Sequence, residues 1–337
     1  MTGLIGRVSP QTLRLVALFM ALLATVLFFS TQIDGYLSAR MFSRISTSAA
    51  VVLPIAVGQA IVIMTRNIDL SSGSILGVVA YVTGQTLSSM PDLHPVLVVC
   101  FAMGIGAAAG AINGLIAAYG RVPSIIVTLG TLALFRSFLV EYSDAATITT
   151  ASLPTWLVDL PQKSLFSIGA LEVRVTVVLA LGACIVVGLA LSRLRAARRF
   201  LAVGSNPDAA QMAGINAPRV VFLAFVISGA LAGLSGFIFL AKFGNITVVA
   251  GLGFELKAIA AVVVGGVSIM GGSGTILGVL MGAVLVDTID NSLTRWELVS
   301  EFWRDALLGM LIMVAVTLDT LASRSLARLR GTSGGPQ

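Results

Sequence analysis

Ser72-Gly73-Ser74-Ile75-Leu76-Gly77-Val78 is a heptapeptide that this chain contains almost twice. It returns 201 positions later as Ser273-Gly274-Thr275-Ile276-Leu277-Gly278-Val279. Each copy follows an apolar run of helical length and opens another, and the register also holds about ten residues upstream. Internal repeats in an apolar chain are typical of membrane transporters. The pattern therefore predicts two related halves, at about 49–140 and 220–318.

The composition indicates a lipid environment. Hydrophobic residues make up 57% of the chain and charged residues 11%, and the mean hydropathy is +1.01. A transmembrane helix needs about 20 mainly apolar residues. Ten apolar runs qualify as candidate spans: 16–30, 49–64, 74–87, 96–119, 125–140, 175–192, 220–240, 258–269, 275–289 and 307–318. We therefore predict an all-α polytopic membrane protein in which residues 1–337 form one transmembrane domain of about ten helices.

The distribution of basic residues predicts the orientation. With both termini in the cytoplasm, twelve of the 21 Lys and Arg residues fall in inside segments and eight in outside segments. The bias is strongest at 193–219 and in the C-terminal tail. Because no small-residue cleavage site follows Ser30, the first span is expected to be an uncleaved anchor. Both heptapeptides then open on the cytoplasmic side, which predicts parallel repeats. The basic pI of about 9.9 needs no nucleic-acid partner to explain it.

Small residues at a spacing of four predict close helix packing. Such residues allow helix backbones to approach each other within lipid. They form three series: Gly106, Gly110 and Gly114; Gly229 and Gly233; and Gly274, Gly278 and Gly282. We expect these glycines to pack helices and to do no chemistry.

The sequence argues against an enzyme. Two G-x-S-G stretches contain Ser235 and Ser273, but a serine nucleophile needs a base within reach, and the one histidine, His94, lies in a predicted outside loop. The nucleotide-binding pattern G-x-x-x-x-G-K-[ST] does not occur, and Cys100 and Cys184 lack the paired spacing of a metal site. We therefore expect no catalytic residue, no metal and no cofactor bound by this chain.

One polar segment between predicted spans has the pattern of a short, capped helix. Asn206 suits the N-cap, Pro207 the first helical position, Asp208 the first turn and Gly214 a left-handed C-terminal stop. A helix over 207–213 is too short to be stable alone in water. We expect it either to dock into a partner through Ala209, Ala210, Met212 and Ala213 or to be an ordinary loop helix.

This segment resembles the coupling helix of permeases in ATP-binding-cassette importers of the ribose type. The frame Asn-Pro-x-Ala-Ala-x-x-x-Gly-Ile begins at Asn206. Further elements of that family follow its order along nearly the whole chain. They are 68–74 (IDLSSGS), 113–114 (NG), 123–131 (PSIIVTLGT), 255–260 (ELKAIA), 265–266 (GG) and 271–274 (GGSG). Thr65-Arg66-Asn67, where ribose permeases usually carry Gly-Gly, is closer to the autoinducer-2 and rhamnose branch.

The resemblance implies a paired permease, identical or homologous, in the plasma (inner) membrane of a prokaryote, that forms a passage for a monosaccharide or an autoinducer-2-like sugar. It also implies an outside sugar-binding protein and a separate ATPase that binds ATP and Mg. The sequence departs from the family's pattern at two places, Ala197 and residues 141–144 of the outer loop. Because of the departure in the outer loop, the identity of the substrate cannot be taken from the family. The implied coupling interface is Gly204, Asn206, Pro207, Asp208, Ala209, Ala210 and Gly214.

Polar residues of the spans and of the repeat elements are candidates for the passage. They are Asp69, Ser72, Asn113, Thr128, Thr131 and Ser273. Three charged residues fall within spans, and ionisable groups there are functional suspects. Helix rise places Arg136 and the pair Asp287 and Asp290 at similar heights, so we predict that they compensate each other's charge. The long loop 141–172 is expected to hold its own structure and an outer docking surface.

A stand-alone secondary transporter or channel is the alternative. It would need an ion or proton relay inside the membrane, whereas the acidic residues of the spans are few and cluster at one end. It would also have no use for a capped cytoplasmic helix.

Overall fold

The computed structural model describes residues 10–169, 171–296 and seven positions between 303 and 317. Most of the chain is helical. The helices are α1 (Pro10–Gln32), α2 (Ala39–Met64), α3 (Ser72–Ser89), α4 (Pro95–Gly114, continued by a π turn at Leu115–Tyr119), α5 (Ser124–Ser143), α6 (Thr155–Asp159), α7 (Val175–Arg193), α8 (Arg198–Ser205), α9 (Pro207–Met212), α10 (Ala217–Phe243), α11 (Phe254–Val264) and α12 (Ile276–Arg295).

The predicted class, a helical polytopic membrane protein, is confirmed. Seven of the described helices are long and apolar enough to cross a membrane: α1, α2, α4, α5, α7, α10 and α12. The predicted runs 74–87 and 258–269 also form helices, α3 and α11, but α11 has only 11 residues. The tenth run, 307–318, lies largely outside the described residues, as do Arg7 and the C-terminal arginines. The count of ten spans stays a prediction.

The long loop after α5 contains a β-hairpin that the all-α prediction missed. Strand β1 (Ser164–Ile168) pairs antiparallel with β2 (Leu171–Arg174), and Gly169 takes a left-handed φ of 62° in the turn. A short 3-10 turn (Thr150–Ser152) and α6 precede the hairpin. The loop is tied to the rest of the molecule by backbone hydrogen bonds between Ile148 and Ile246 of 3.0 and 2.9 Å. The prediction that this loop has its own structure is confirmed.

Helices α4 and α10 pack backbone against backbone through the predicted glycines. A Cβ added to Gly106 would collide with the backbone of Gly229 and Gly233, and one added to Gly110 would collide with the carbonyl of Phe225. Gly282 lies equally close to the backbone of α11. Since lipid gives apolar side chains little reason to associate, this close backbone packing contributes to the attraction between the helices.

Helix α2 lies at the centre of the bundle, and α10 compensates its interruption. Pro54 removes one backbone donor from α2 and disturbs the helical ladder around it. The next backbone N–H, that of Ile55, donates to Ser235 Oγ of α10 at 3.2 Å. The serine of a G-x-S-G stretch is thus a hydrogen-bond partner for a helix backbone.

The contacts between helices fix their relative directions. Residues 55 and 58 of α2 meet residues 235 and 228 of α10, so these two helices are antiparallel. Residues 76 and 84 of α3 meet residues 236 and 240 of α10, so these two are parallel. Residues 48 and 64 of α2 meet residues 287 and 274, so α12 is antiparallel to α2. The two heptapeptides therefore open helices of like direction; their relation by a pseudo-twofold axis stays a prediction.

Candidate translocation and coupling sites

A return segment, residues 65–71, connects α2 to α3 and forms a buried polar site. After α2 ends at Met64, the chain turns back so that Asp69 lies beside Gln59 of the same helix. With its amide oriented to satisfy both groups, Gln59 accepts from the Asp69 backbone N–H (3.2 Å) and donates to its carbonyl (3.0 Å). These bonds supply the partners that a non-helical backbone needs within a membrane protein.

The side chain of Asp69 organises the start of α3. Its Oδ1 accepts from the backbone N–H of Ser71 at 2.9 Å and from the Ser71 hydroxyl at 2.7 Å. Asn113, on α4 just before the π turn, donates from Nδ2 to Ser71 Oγ at 2.7 Å. All three side chains are fully buried. Single π turns within helices are over-represented at functional sites.

Helix α5 holds the other side of the return segment. The backbone N–H of Ile68 donates to Ser124 Oγ at 3.1 Å, and Thr128 Oγ1 donates to the Ile68 carbonyl at 3.3 Å. Thr131 lies one turn further along α5 and donates to the Thr128 carbonyl. Helices α2, α4 and α5 therefore all contribute polar side chains to this segment.

The structure brings most of the predicted passage residues together. Asp69, Ser72, Asn113 and Thr128 are fully buried within one chain, so they position the return segment and are not exposed on an open channel wall here. Ser273 lies elsewhere, in a cavity of about 100 Å³ that Arg14, Gly266 and Thr275 also line. Three residues that bond to this site, Gln59, Ser71 and Ser124, were not among the predicted passage residues. For Gln59, the sequence held one indication of such a role, since it is a polar residue inside an apolar run.

The predicted pairing of Arg136 with Asp287 and Asp290 is wrong. Arg136 Nη1 donates to the carbonyls of Val248 and Ala250 at 2.8 and 2.7 Å. Asp290 forms its ion pair with Lys257 of α11, with 2.6 Å between Nζ and Oδ2. Lys257 is one of the eight basic residues predicted in outside segments, one position before the predicted span 258–269, whereas α11 includes it and carries it to the side of α12.

Asp287 has a hydrogen-bonded environment of its own. Its carboxylate accepts from Ser48 Oγ and from Asn291 Nδ2, each at 3.0 Å. These donors come from α2 and from the next turn of α12. Together with the ion pair at Asp290, they satisfy the acidic residues of α12 without Arg136.

The coupling segment has the predicted caps. Asn206 Oδ1 accepts from the Ala209 backbone N–H at 3.0 Å, and Gly214 has a left-handed φ of 77°. The backbone N–H of Ile215 closes the helix end on the Ala210 carbonyl at 2.9 Å. The helix ends at Met212, with Ala213 as its C-cap. The preceding helix, α8, was missed, although the spacing of Phe200 and Val203 gives it one apolar face, which is buried.

Only part of the predicted coupling interface is accessible. Asn206, Asp208, Ala209 and Gly214 are exposed, and Met212, at 91%, is the most exposed large apolar residue of the part of the chain that the structure describes. Ala210 is buried beneath the helix, which corrects its assignment to a partner groove. Gly204 is also buried, and a Cβ there would collide with the Met64 carbonyl.

The coupling segment, the end of α2 and the loop 265–275 share one face of the molecule, hereafter the α9 face. Gly272 links two of these parts, since its backbone N–H donates to the Met64 carbonyl at 3.0 Å. A Cβ on Gly272 would lie 2.6 Å from the Cα of Ser205, at the end of α8. The hairpin precedes α7, whose C-terminal end lies near Met64, so the hairpin is on the opposite face.

The helical bundle and its capped segment are those of a transporter's membrane subunit, and comparison with known proteins defines its class. A family profile described as a branched-chain amino acid transport system / permease component matches residues 41–316. The chain belongs to this permease family.

The chain is also similar to individual permeases named autoinducer 2 import system permease protein LsrC. The protein from Enterobacter sp. (strain 638) is 36% identical over 310 residues, covering 92% of this chain and 88% of the relative. The one from Klebsiella pneumoniae is 35% identical over 310 residues, covering 92% and 87%. The one from Yersinia enterocolitica is 34% identical over 302 residues, covering 89% and 81%. No solved structure matches the chain.

Proposed function

We propose that this chain is the permease subunit of an ATP-driven importer that carries autoinducer-2 or a related small sugar across the plasma membrane. The family and the names of its relatives support this function. The chain acts as a translocation subunit and not as an enzyme; ATP and Mg bind to a partner ATPase. A second permease, identical or homologous, completes the passage, and a sugar-binding protein docks on the hairpin face.

The observation that carries the proposal is the exposed apolar tip of α9. A helix of six residues cannot be stable alone in water, and this one is held by its caps and by the buried Ala210 beneath it. Met212 and Ala209 nevertheless point away from the molecule and are exposed. An exposed apolar side chain on a capped helix suits insertion into a groove of a partner protein. We assign that groove to the ATPase and the α9 face to the cytoplasm.

The return segment gives the passage a movable part. The segment is irregular backbone between α2 and α3, and it is held by side-chain hydrogen bonds from α2, α4 and α5 instead of by the continuous ladder of a helix. We propose that tilting of the helix pair α2 and α3 at this segment changes access to a passage formed between two permeases. Asp69, Ser72, Asn113, Thr128 and Thr131 take part by positioning the segment.

The proposal is tested by the association with the ATPase. Met212→Glu places a charge on the apolar tip and should abolish co-purification of the system's ATPase with the permease in detergent, together with uptake of autoinducer-2. Leu165→Glu, at a residue of β1 that is 60% exposed on the opposite face, is the matched control and should retain the ATPase. Normal ATPase binding by Met212→Glu would refute the coupling role of α9 and favour a stand-alone transporter.

A further inference from the structure

Arg66 connects the ends of two helices on the α9 face. Its Nε donates to the carbonyl of Gly204 at 2.5 Å, and its Nη2 donates to the carbonyl of Ser205 at 2.6 Å. Both carbonyls belong to the last turn of α8, where a helix has acceptors without intrahelical partners and a negative dipole end. The guanidinium therefore caps α8 from a position 138 residues away in the sequence.

The backbone of Arg66 has a conformation that disfavours any residue with a Cβ. Its φ is 66°, in the left-handed region. Glycine occupies this region without penalty, so backbone geometry alone would select glycine here. A non-glycine residue kept in such a conformation is a reason to look for a role of its side chain. The two hydrogen bonds from the guanidinium to the α8 carbonyls supply that role.

Three chain segments meet at Arg66 with little side-chain material between them. Gly204 lies against the Met64 carbonyl, and Gly272 lies against Ser205. A Cβ on Gly271 would in turn collide with the Arg66 side chain. Backbone contacts of this kind leave little room for one segment to move without the others. The ends of α2 and α8 and the loop 265–275 thus form one joint.

The joint lies between the coupling helix and the buried polar site. Toward α9 the connection is covalent, because Ser205 is followed by Asn206, the N-cap of α9. In the other direction Arg66 is the second residue of the return segment and lies three positions before Asp69. A displacement of α9 therefore reaches the return segment through the backbone contacts of this joint and through the two hydrogen bonds of the Arg66 side chain.

We infer that Arg66 transmits the movement of the coupling helix to the return segment and so couples ATP hydrolysis to opening of the passage. This inference rests on the proposed function. It assigns Arg66 a positioning role: the residue contacts neither the solute nor the ATPase surface at Met212, but it holds α8 and the return segment together during the cycle.

The test separates coupling from folding. Arg66→Gly keeps the left-handed backbone, which glycine favours, and removes the side chain with its guanidinium. Assembled with its ATPase and binding protein in proteoliposomes, this variant should keep the ATPase bound and should hydrolyse ATP. Uptake of autoinducer-2 per ATP hydrolysed should fall by roughly tenfold or more, because two charge-assisted hydrogen bonds are lost. Arg66→Lys, which lacks the planar fork, should restore little of this ratio.

Arg121→Gly is the matched control. Arg121 lies in the short loop after the π turn of α4, has a φ of 55°, and makes no side-chain hydrogen bond or ion pair among the described residues. The same substitution there should leave the transport ratio unchanged. An unchanged ratio in Arg66→Gly, or a proportional loss of ATP hydrolysis and uptake, would overturn the inference.

The experiment also distinguishes this inference from the proposed function. If Met212→Glu releases the ATPase and Arg66→Gly transports normally, the coupling helix stands and the role of Arg66 is wrong. If Met212→Glu retains the ATPase, the proposed function itself fails, whatever Arg66 does.

Discussion

Four charged side chains of the helical bundle each have a partner from another element: Arg136, Lys257, Asp287 and Asp290. The side chains of Lys257 and Asp290 are 19% and 10% exposed, and their 2.6 Å contact joins α11 to α12. Removing one partner of a buried pair leaves an uncompensated charge and typically costs about 3 to 5 kcal/mol, whereas replacing both is often neutral. We therefore expect Lys257→Met or Asp290→Leu alone to lower the thermal stability of the purified permease more than the double variant does.

Two double-mutant cycles test whether Asp290 pairs with Lys257 and not with Arg136. Arg136→Leu and Asp290→Leu should have additive effects on the free energy of unfolding, because Arg136 bonds to the carbonyls of Val248 and Ala250. The cycle of Lys257 with Asp290 should deviate from additivity by at least about 1 kcal/mol. Coupling in the first cycle and additivity in the second would restore the rejected pairing.

Sequence reasoning succeeded at the residue scale where the determining chemistry is local. The caps at Asn206 and Gly214 are properties of neighbouring residues, and both were predicted correctly. The partner of Asp290 was missed because counting residues along spans assumes that every loop stays outside the membrane. The chain around Lys257 instead forms the short helix α11, and its position depends on packing between distant elements.

Helix pairs in this molecule owe their stability to glycine, and α4 offers a comparison within one helix. A Cβ at Gly106 would collide with the backbone of α10, whereas a Cβ at Gly104 would have no neighbour within 4 Å. Gly106→Ala should thus separate α4 from α10 and cost about 1 to 3 kcal/mol. Gly104→Ala should be neutral or should stabilise by about 0.5 to 1 kcal/mol, since alanine is the better helix former.

Thermal unfolding of the two alanine variants in the same detergent measures this difference. A similar melting temperature for both would show that the α4–α10 contact does not depend on close approach. The spacing of four predicted this contact from the sequence, because the geometry of a helix places such residues on one face. It gave no indication of the return segment, whose turn depends on Gln59, Asn113 and Thr128 from three separate helices.

At the scale of the whole molecule, the predicted passage residues lie inside the packed bundle, where Asp69, Asn113 and Thr128 are fully buried. One cavity, of about 450 Å³, lies between α7 and α12 and is lined mainly by apolar residues such as Leu191, Ile276 and Leu280. A sugar needs hydrogen-bonding partners along its path, so this cavity does not suit one. The passage is therefore expected to form between two permeases, on a face close to the return segment.

Helix α5 is the element that meets this requirement. On one side, its Ser124 and Thr128 bond to the return segment. On the other, Ile126 and Leu129 are 63% and 51% exposed.

We expect a cysteine at Leu129 to cross-link to the second permease of the assembled transporter through a short bismaleimide, with the product identified by mass spectrometry. Leu129 neighbours Gly130, where a Cβ would meet no atom within 4 Å, so a second helix can approach closely. A cysteine at Val186 of α7, 67% exposed, is the control and should not form this product. Cross-linking at Val186 and none at Leu129 would place the partner on the α7 side and contradict a passage beside the return segment.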